Sequence, residues 1–396
     1  MPKFTFPEGF LWGTSLSTTQ TEGCVTNDWS DVKALDGNKV GVACDHYNRY
    51  KEDFKLASDM HNNTIRVGIE WSRLQRSPYG QLESWAVNHY REYLGEARSL
   101  GLEPMVVLHH FANPLWFAEK GGWANRESHK IFADYTMKVA NEFNDLTNMW
   151  NTFNEPSFYI LNSYLAGIFP PFKKSLVKAL KVKSNMKKAH KKAYNILKEK
   201  DKLVTATCAW RPCCGDGFFD NLAAKIGSYF TNDFFANAFM KHSDFFGLSY
   251  YGDTYIRKLK PILPALDYSQ DYIEGLGLTC DDFNLLTPEG LVPALKTISK
   301  KYKKPIIIVE NGFATKDESL REEMIIEHVR ETGRAIMEGI DVKGYFYWSL
   351  LDNFEWNHGY TKNFGLFGVN KLTYKRIKRQ AVDSYSQICK NNSIEL

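Results

Sequence analysis

Eight short apolar runs recur along this sequence, and each is followed by a polar segment and then a helical pattern. The runs cover residues 9–13, 64–70, 104–109, 148–153, 204–210, 245–250, 305–309 and 344–349. The clearest helical patterns lie at residues 128–142, 182–199, 289–302, 322–337 and 375–390. Alternation of strands and helices indicates parallel strands joined by crossovers, and eight such units predict an α/β fold, a closed (β/α)8 barrel. An open, doubly wound sheet is the alternative, but no G-x-G-x-x-G turn follows the first run.

The chain has 396 residues, which is enough for two or three average domains, but α/β barrels often reach this length as one domain. No low-complexity stretch, repeat or linker divides the sequence. A hydrophobic content of 43% is ample for one large core. We therefore expect residues 1–396 to form a single barrel domain.

The formal net charge of +4 is small for this length, so we expect no nucleic-acid partner. The most basic segment, residues 173–202, interleaves lysines with apolar residues and predicts an amphipathic surface helix. The sequence contains neither a signal-peptide core nor a run of about 18 apolar residues, so we expect a cytoplasmic protein with no membrane partner. The seven cysteines lack C-x-x-C spacing, and nothing indicates a metal or an organic cofactor. The oligomeric state stays open.

Polar and aromatic residues concentrate where the predicted strands end. Such residues are Gln20, Glu22, Arg66, Glu70, His109, His110, Phe111, Asn154, Glu155, Tyr250, Tyr251, Glu310, Asn311, Trp348, Asp352, Asn353, Phe354, Glu355 and Trp356. In a (β/α)8 barrel the carboxyl ends of all strands meet at one rim, which is where active sites form. A structural protein has no need of this pattern, so the rim is the predicted functional site.

Two glutamates directly follow predicted strands, Glu155 after the fourth and Glu310 after the seventh. Taken singly, Glu155 is explained as the residue that opens a helix before Pro156, and Glu310 as a turn residue. Together at one rim they are typical of glycosidic bond cleavage, which needs one carboxyl group as acid and another on the opposite face of the sugar. We expect Arg66 and Tyr251 to contact the same oxygen of one carboxylate and keep it ionised.

The sequence resembles glycoside hydrolase family 1, the β-glucosidase and β-galactosidase family. The signature segments are N-T-F-N-E-P at 151–156, I-V-E-N-G at 308–312 and W-S-L-L-D-N-F-E-W at 348–356. Supporting segments lie at 10–15, 19–23, 45–53, 69–73, 109–117, 247–251 and 364–369. These segments occur in the family's order over nearly the whole chain, which makes the resemblance very specific.

The resemblance implies an exo-acting, retaining β-glycosidase that hydrolyses a terminal β-D-glucosyl, galactosyl or fucosyl residue of a small β-glycoside. Glu155 would be the acid/base and Glu310 the nucleophile, with Arg66, Asn154 and Tyr251 in support. The substrate-binding residues would be Gln20, His110, Phe111, Asn154, Trp348, Glu355 and Trp356. Of the adjacent histidines, the family register favours His110, so we expect His109 to be structural. The alternatives are a transglycosidase, a 6-phospho-β-glucosidase and, least favoured, a catalytically silent sugar-binding barrel.

Three features depart from the family pattern. Ser249 stands where members usually have asparagine, and Phe111 stands where many have tryptophan. The chain is also shorter than most relatives, with an irregular segment at residues 255–288. We expect shortened rim loops that open the side of the site where the leaving group binds. The expected change is in leaving-group preference, because loops carry specificity while the barrel carries rigidity.

Overall fold

The computed structural model describes residues 3–262 and 279–396, and each of the eight apolar runs contributes a strand to it. The strands are β1 Lys3–Thr5, β2 Leu11–Ser15, β3 Thr64–Gly68, β4 Glu103–Val107, β5 Met149–Asn151, β6 Leu203–Thr205, β7 Thr207–Ala209, β8 Cys213–Gly215, β9 Phe246–Ser249, β10 Thr254–Arg257, β11 Lys260–Ile262, β12 Ile306–Asn311, β13 Val342–Trp348, β14 Phe367–Val369, β15 Arg376–Lys378 and β16 Ser393–Glu395. The predicted strand positions are therefore confirmed.

Nine of these strands form one parallel sheet in the order β6-β5-β4-β3-β2-β13-β12-β9-β7. Its two end strands, β6 and β7, are separated in the chain by Ala206 alone and act as two halves of the fifth strand. The sheet therefore closes on itself as an eight-stranded (β/α)8 barrel, which confirms the predicted fold. Closure brings the C-terminal ends of all eight strands to one rim.

Helices connect the strands on the outside of the barrel. They cover Thr18–Thr21, His46–Asp59, Trp71–Leu74, Ser84–Ser99, Leu115–Glu119, Ser128–Phe143, Pro156–Ile160, Leu176–Lys198, Gly217–Ser228, Phe234–Phe239, Leu291–Tyr302, Glu318–Met337 and Ala381–Asn391. Two π-helical segments, Leu161–Ala166 and Tyr229–Asp233, continue the helices before them. The lysine-rich segment forms Leu176–Lys198, whose buried residues include Ala179, Val182 and Met186, so the amphipathic surface helix is confirmed. None of the described helices is long and apolar enough to cross a membrane.

The barrel interior is filled by apolar side chains from strands that are not neighbours. Met105 on β4 and Met149 on β5 pack in one cluster with Ile307 and Val309 on β12 and Phe346 on β13. Because β2 and β3 separate these two strand pairs in the sheet, the side chains can meet only inside the barrel. This packed floor leaves the rim as the place for a polar cavity.

One predicted helix begins too early. Residues 375–390 were expected to be helical, but Arg376–Lys378 is strand β15, paired antiparallel with Phe367–Val369, and the helix begins at Ala381. The reason is tertiary, because the Arg376 guanidinium contacts the buried Asp53 carboxylate at 2.6 Å. Of the segment 255–288 that was expected to be irregular, residues 263–278 lie outside the described part of the chain.

Candidate active site

Glu310, near the end of β12, is a buried carboxylate held from two sides. Arg66 on β3 donates from Nη1 to Glu310 Oε1 at 2.5 Å, and the Tyr251 hydroxyl donates to Oε2 at 3.0 Å. The expectation that both groups contact the same oxygen is therefore wrong, because they approach Glu310 from different strands. An arginine charge and a hydroxyl donor both favour an ionised carboxylate.

Glu155 follows β5 and precedes the short helix Pro156–Ile160, with Pro156 at its first position. Its backbone has a φ of 36°, in the left-handed region that residues other than glycine seldom adopt. The residue is 8% exposed. Backbone strain of this kind at a rim carboxylate is a feature typical of functional sites.

The surroundings of Glu155 favour its protonated form. Burial is the main cause, and with the negative charge of Glu310 it raises the pKa of Glu155 to about 7. The Ser249 hydrogen bond and the Arg211 and Arg66 guanidinium groups act in the opposite direction. Two carboxyl groups of the same type are thus placed in contrasting environments: Glu155 has a raised pKa, whereas Glu310 contacts a guanidinium group and a hydroxyl donor.

The Ser249 hydroxyl lies between the two carboxylates. Ser249 pairs with Glu310 in the β9–β12 register, its Oγ donates to Glu155 Oε1, and Oγ lies 3.4 Å from Glu310 Oε2. Because both contacts share one oxygen atom, the nearest oxygens of Glu155 and Glu310 are at most about 6 Å apart, which is compatible with the roughly 5 Å between the carboxyl groups of retaining glycosidases. Inverting enzymes need about 6.5–9.5 Å to admit a water molecule.

A chain of hydrogen bonds connects Arg66 to His110. Arg66 Nη2 donates to Asn154 Oδ1 at 2.6 Å, and Asn154 Nδ2 donates to His110 Nε2 at 2.9 Å. Burial and the Arg66 charge hold the pKa of His110 well below its usual value, so the ring is neutral. With Nε2 accepting, the proton resides on Nδ1, a buried atom with no hydrogen-bond partner among the described residues.

Gln20 and Glu355 form a second polar group at the same rim. Gln20 Nε2 donates to Glu355 Oε2 and to Asn353 Oδ1, each at 3.0 Å. These two bonds fix the orientation of the Gln20 amide. Its acceptor atom, Oε1, is buried without a partner in the described part of the chain. Burial, together with the charges of Glu310 and Glu155, raises the pKa of Glu355 to about 8.

Aromatic rings lie beside these polar side chains. The His110 ring centroid lies 5.8 Å from that of Trp348 and 5.9 Å from that of Trp356. Phe111 packs against Trp356 at 5.2 Å. Indole faces beside convergent hydroxyl, amide and carboxylate groups suit a sugar ring, which has apolar faces and a polar edge. His109 faces elsewhere, with Nε2 3.1 Å from Asn113 Oδ1.

The predicted catalytic and substrate-binding side chains thus lie at this rim, but sequence reasoning missed one neighbour, Arg211, and assigned no role to another, Asn353. Arg211, which follows β7, acts on Glu155 through its charge, and Asn353 orients Gln20. Asn353 stands inside a signature segment, so a signal for it was present. Arg211 has no motif, and its position after the fifth strand was its only signal. No group of three or more histidine, cysteine or acidic residues in the described ranges is arranged to hold a metal ion.

Two other rim glutamates support the site from behind. Glu70 Oε2 accepts from the Thr18 hydroxyl at 2.7 Å, and Glu22 Oε2 accepts from Arg73 Nε at 3.1 Å. The first contact anchors the helical turn Thr18–Thr21, which contains Gln20. These carboxylates thus position the turn that presents Gln20.

Comparisons with known proteins agree with this geometry. Residues 3–241 and 228–394 match the family model for glycosyl hydrolase family 1. Beta-glucosidase A of Thermotoga maritima is 30% identical over 445 positions, covering 98% of this chain and 99% of that protein. The 6-phospho-beta-galactosidase of Leptotrichia buccalis is 28% identical over 465 positions, covering 98% and 99%. Both alignments have more positions than the 396 residues of this chain, so they contain gaps in this chain. This agrees with the expectation that the chain is shorter than its relatives.

Solved structures give the same result. A beta-glycosidase from Pyrococcus horikoshii superposes with a TM-score of 0.90 at 33% identity, covering 100% of this chain and 97% of that one. The beta-glucosidase from Thermotoga maritima in complex with glucoimidazole superposes with a TM-score of 0.89 at 27% identity, covering 98% and 99%.

Proposed function

The chain belongs to glycosyl hydrolase family 1 and is a β-glucosidase-like glycosidase, and we propose that it is exo-acting and retaining, with Glu155 as acid/base and Glu310 as nucleophile. The observation that carries the proposal is the contrast between two neighbouring carboxylates. Glu310 is in contact with the Arg66 guanidinium and the Tyr251 hydroxyl, whereas burial and the Glu310 charge raise the pKa of Glu155 to about 7.

The reaction takes two displacements. In the first, a Glu310 oxygen bonds to the anomeric carbon while the bond to the leaving oxygen breaks, and that oxygen takes the proton of Glu155. In the second, Glu155, now a carboxylate, takes a proton from water as the water oxygen attacks the anomeric carbon and Glu310 leaves. Two inversions at one carbon preserve the β-configuration, and both carboxyl groups return to their starting states.

The terminal sugar is bound by groups whose polar atoms face the cavity. Gln20 Oε1 accepts from a sugar hydroxyl and His110 Nδ1–H donates to one, which supplies both buried atoms with partners. Asn154, fixed between Arg66 and His110, meets the 2-hydroxyl beside the reacting carbon. Trp348 stacks beneath the ring, and Glu355 and Trp356 close the far end of the sugar.

A free sugar fits this cavity better than a 6-phosphorylated one, although a 6-phospho-beta-galactosidase is among the relatives. Three carboxyl groups already share this site: besides burial, the Glu310 charge raises the pKa of both Glu155 and Glu355, and the Glu155 charge also raises the pKa of Glu355. A phosphate beside Glu355 would add further negative charge to a buried site, which disfavours its binding.

Azide rescue tests the two roles separately. With an activated aryl β-glucoside, Glu310→Gly loses on the order of 10⁴-fold in kcat or more, and azide restores turnover with an α-glycosyl azide as product. Glu155→Gly retains the first step with a good leaving group, and azide yields the β-glycosyl azide. Glu8→Gly, at an exposed position, is the matched control and keeps wild-type activity. Identical azide anomers from the two site variants would refute the assignment.

A panel of nitrophenyl β-glycosides tests the substrate class. We expect turnover of the gluco, galacto or fuco members. We do not expect the glucose 6-phosphate member to be the only glycoside that is hydrolysed. Product analysis with an added alcohol separates hydrolysis from transfer of the sugar. Activity on the phosphorylated member alone would overturn the argument from the three carboxyl groups.

A further inference from the structure

The helix Gly217–Ser228 and the π-helical segment after it present an apolar surface to solvent. We call this surface the apolar rim face, and it consists of Phe218, Phe219, Leu222, Ile226, Tyr229 and Phe230. Phe218 is 77% exposed and Phe219 is 71% exposed. Single exposed apolar residues are ordinary, but six on one helical face mark an interaction surface.

The outward orientation of this face follows from contacts on the opposite side of the helix. The Asp220 carboxylate accepts the backbone N–H groups of Lys258 and Leu259 at 3.1 and 2.8 Å, which ties the helix to the turn between β10 and β11. The one buried residue of the helix is Ala224. Its small side chain packs inward while the large apolar side chains point away from the protein.

The apolar rim face continues onto the neighbouring helix Leu176–Lys198. Tyr229 and Leu180 line one groove together with Lys183 and Lys187. Leu176 and Val177, in the first turn of that helix, are 63% and 79% exposed. Two helices therefore share a surface whose centre is apolar and whose edge is basic.

The charge around this surface indicates what covers it. Between residues 172 and 202 the chain has twelve lysines and two acidic residues, and most of these lysines are exposed. A two-fold contact with a second copy would bring two such lysine clusters together, which like-charge repulsion opposes. An aromatic centre with a lysine border instead matches an anionic lipid surface, where apolar side chains enter the headgroup region and lysines contact phosphates.

The segment that carries Tyr229 and Phe230 is also joined to the rim of the barrel. Asn232, in the segment Tyr229–Asp233, accepts the Arg211 backbone N–H at 2.9 Å and donates to the Arg211 carbonyl at 2.8 Å. The Arg211 side chain in turn acts through its charge on Glu155. A surface that binds here would lie on the rim side of the barrel, where substrate enters.

We propose that the apolar rim face and its lysine border dock reversibly onto an anionic lipid bilayer. This goes beyond the glycosidase activity and does not depend on it. It also departs from the sequence-based expectation of no membrane partner, which rested on the absence of long apolar runs. A face built from a folded helix needs no such run, because only its outer side chains enter the headgroup region.

Vesicle sedimentation tests the proposal with the full-length protein. At low salt we expect binding to phosphatidylcholine vesicles that contain phosphatidylglycerol, and at least about tenfold weaker binding to phosphatidylcholine alone. Raising the salt weakens binding to the anionic vesicles, since it screens the lysines. The Phe218→Ser/Phe219→Ser double variant loses about tenfold or more in affinity.

The matched control is Leu372→Ser/Ile377→Ser, which removes two apolar residues that are 91% and 52% exposed on the β14–β15 hairpin. This control binds vesicles as the wild type does. All variants hydrolyse a soluble nitrophenyl glycoside at the wild-type rate if they are folded. The proposal is overturned if the wild type does not sediment with anionic vesicles, or if the Phe218/Phe219 variant binds equally well. It is also overturned if the face instead mediates a dimer that this variant abolishes.

Discussion

The Ser249 hydroxyl connects the two carboxylates of the site, at a position where the family pattern has asparagine. Its hydrogen bond to Glu155 opposes the rise in pKa caused by burial and by Glu310. A serine is shorter than an asparagine, but here the hydroxyl still contacts both acidic groups because Ser249 pairs in register with Glu310. One hydroxyl therefore helps to set the proton affinity of Glu155, the proposed acid/base.

Replacing Ser249 with alanine is expected to shift the pH dependence of the reaction. With the hydrogen bond removed, the pKa of Glu155 rises above about 7, so this proposed general acid stays protonated to higher pH. The basic limb of the kcat/KM profile then shifts to higher pH, by about one pH unit or less. A full pH–rate profile measures this.

Ser243→Ala is the control, because Ser243 is another buried serine and its hydroxyl contacts the Phe239 carbonyl. Its profile should superpose on that of the wild type. An unmoved or lowered basic limb in the Ser249 variant would contradict the assigned role.

At the scale of elements, the strands place the site through close backbone approaches at their C-terminal ends. Gly312, just after β12, is the tightest case, since a Cβ there would lie 1.7 Å from the Trp348 carbonyl oxygen at the end of β13. The two strands present Glu310 and Trp348 to the same sugar in the proposed complex. The absence of a side chain at Gly312 thus keeps Glu310 and Trp348 at their observed spacing.

Gly312→Ala is expected to force β12 and β13 apart at the rim. A displacement of about 1 Å of the reacting group costs on the order of 10²-fold in kcat/KM, and thermal stability falls as well. Gly95→Ala, inside the helix Ser84–Ser99 with no atom within 4 Å of the new Cβ, is the control. It raises the free energy of unfolding by about 0.5–1 kcal/mol. Wild-type kinetics in the Gly312 variant would show that activity does not depend on the close approach of Gly312 to the Trp348 carbonyl oxygen.

At the scale of the whole molecule, contacts distant in sequence join the first crossover to the C-terminal segment. Asp53, on the helix His46–Asp59, contacts Arg376 on β15 and also His46. Burial alone would raise the pKa of Asp53, but the Arg376 and His46 hydrogen bonds lower it below its usual value. His46 extends the network to the Tyr93 hydroxyl at 2.9 Å.

Arg376→Met is expected to lower the free energy of unfolding by about 3–5 kcal/mol, because it leaves a buried carboxylate without its main partner. Lys378→Met, two residues along the same strand, removes only an exposed pair with Asp383 and changes the stability by about 0.5 kcal/mol or less. Denaturant unfolding at neutral pH compares the two. The Asp53 contribution is present above the ordinary carboxyl pKa and disappears as the pH falls through the lowered one, so the variants converge in acid. Equal losses at neutral pH would contradict this account.

Several features could be predicted from the sequence because they are local. Strand and helix periodicity, Pro156 at the first position of a helix and glutamates after the fourth and seventh strands are all readable along the chain. The helix predicted at 375–390 began too early because Arg376 is drawn to Asp53, more than three hundred residues away. For the same reason the sequence could not show that Arg66 and Tyr251 contact different oxygens of Glu310, or that the Arg211 charge acts on Glu155. Nor could it show that the Ser249 hydroxyl contacts both carboxylates.

The sequence by itself determined the number and order of the barrel units and the residues that each strand delivers to its end, since apolar periodicity is encoded in neighbouring residues. Only the tertiary structure decided which side chains meet there. Closure of the sheet through β6 and β7 sets the distance and register between strands, and these in turn set every hydrogen bond and every raised pKa at the rim. Interactions across the barrel depend on distances between strands, and a linear pattern does not contain those distances.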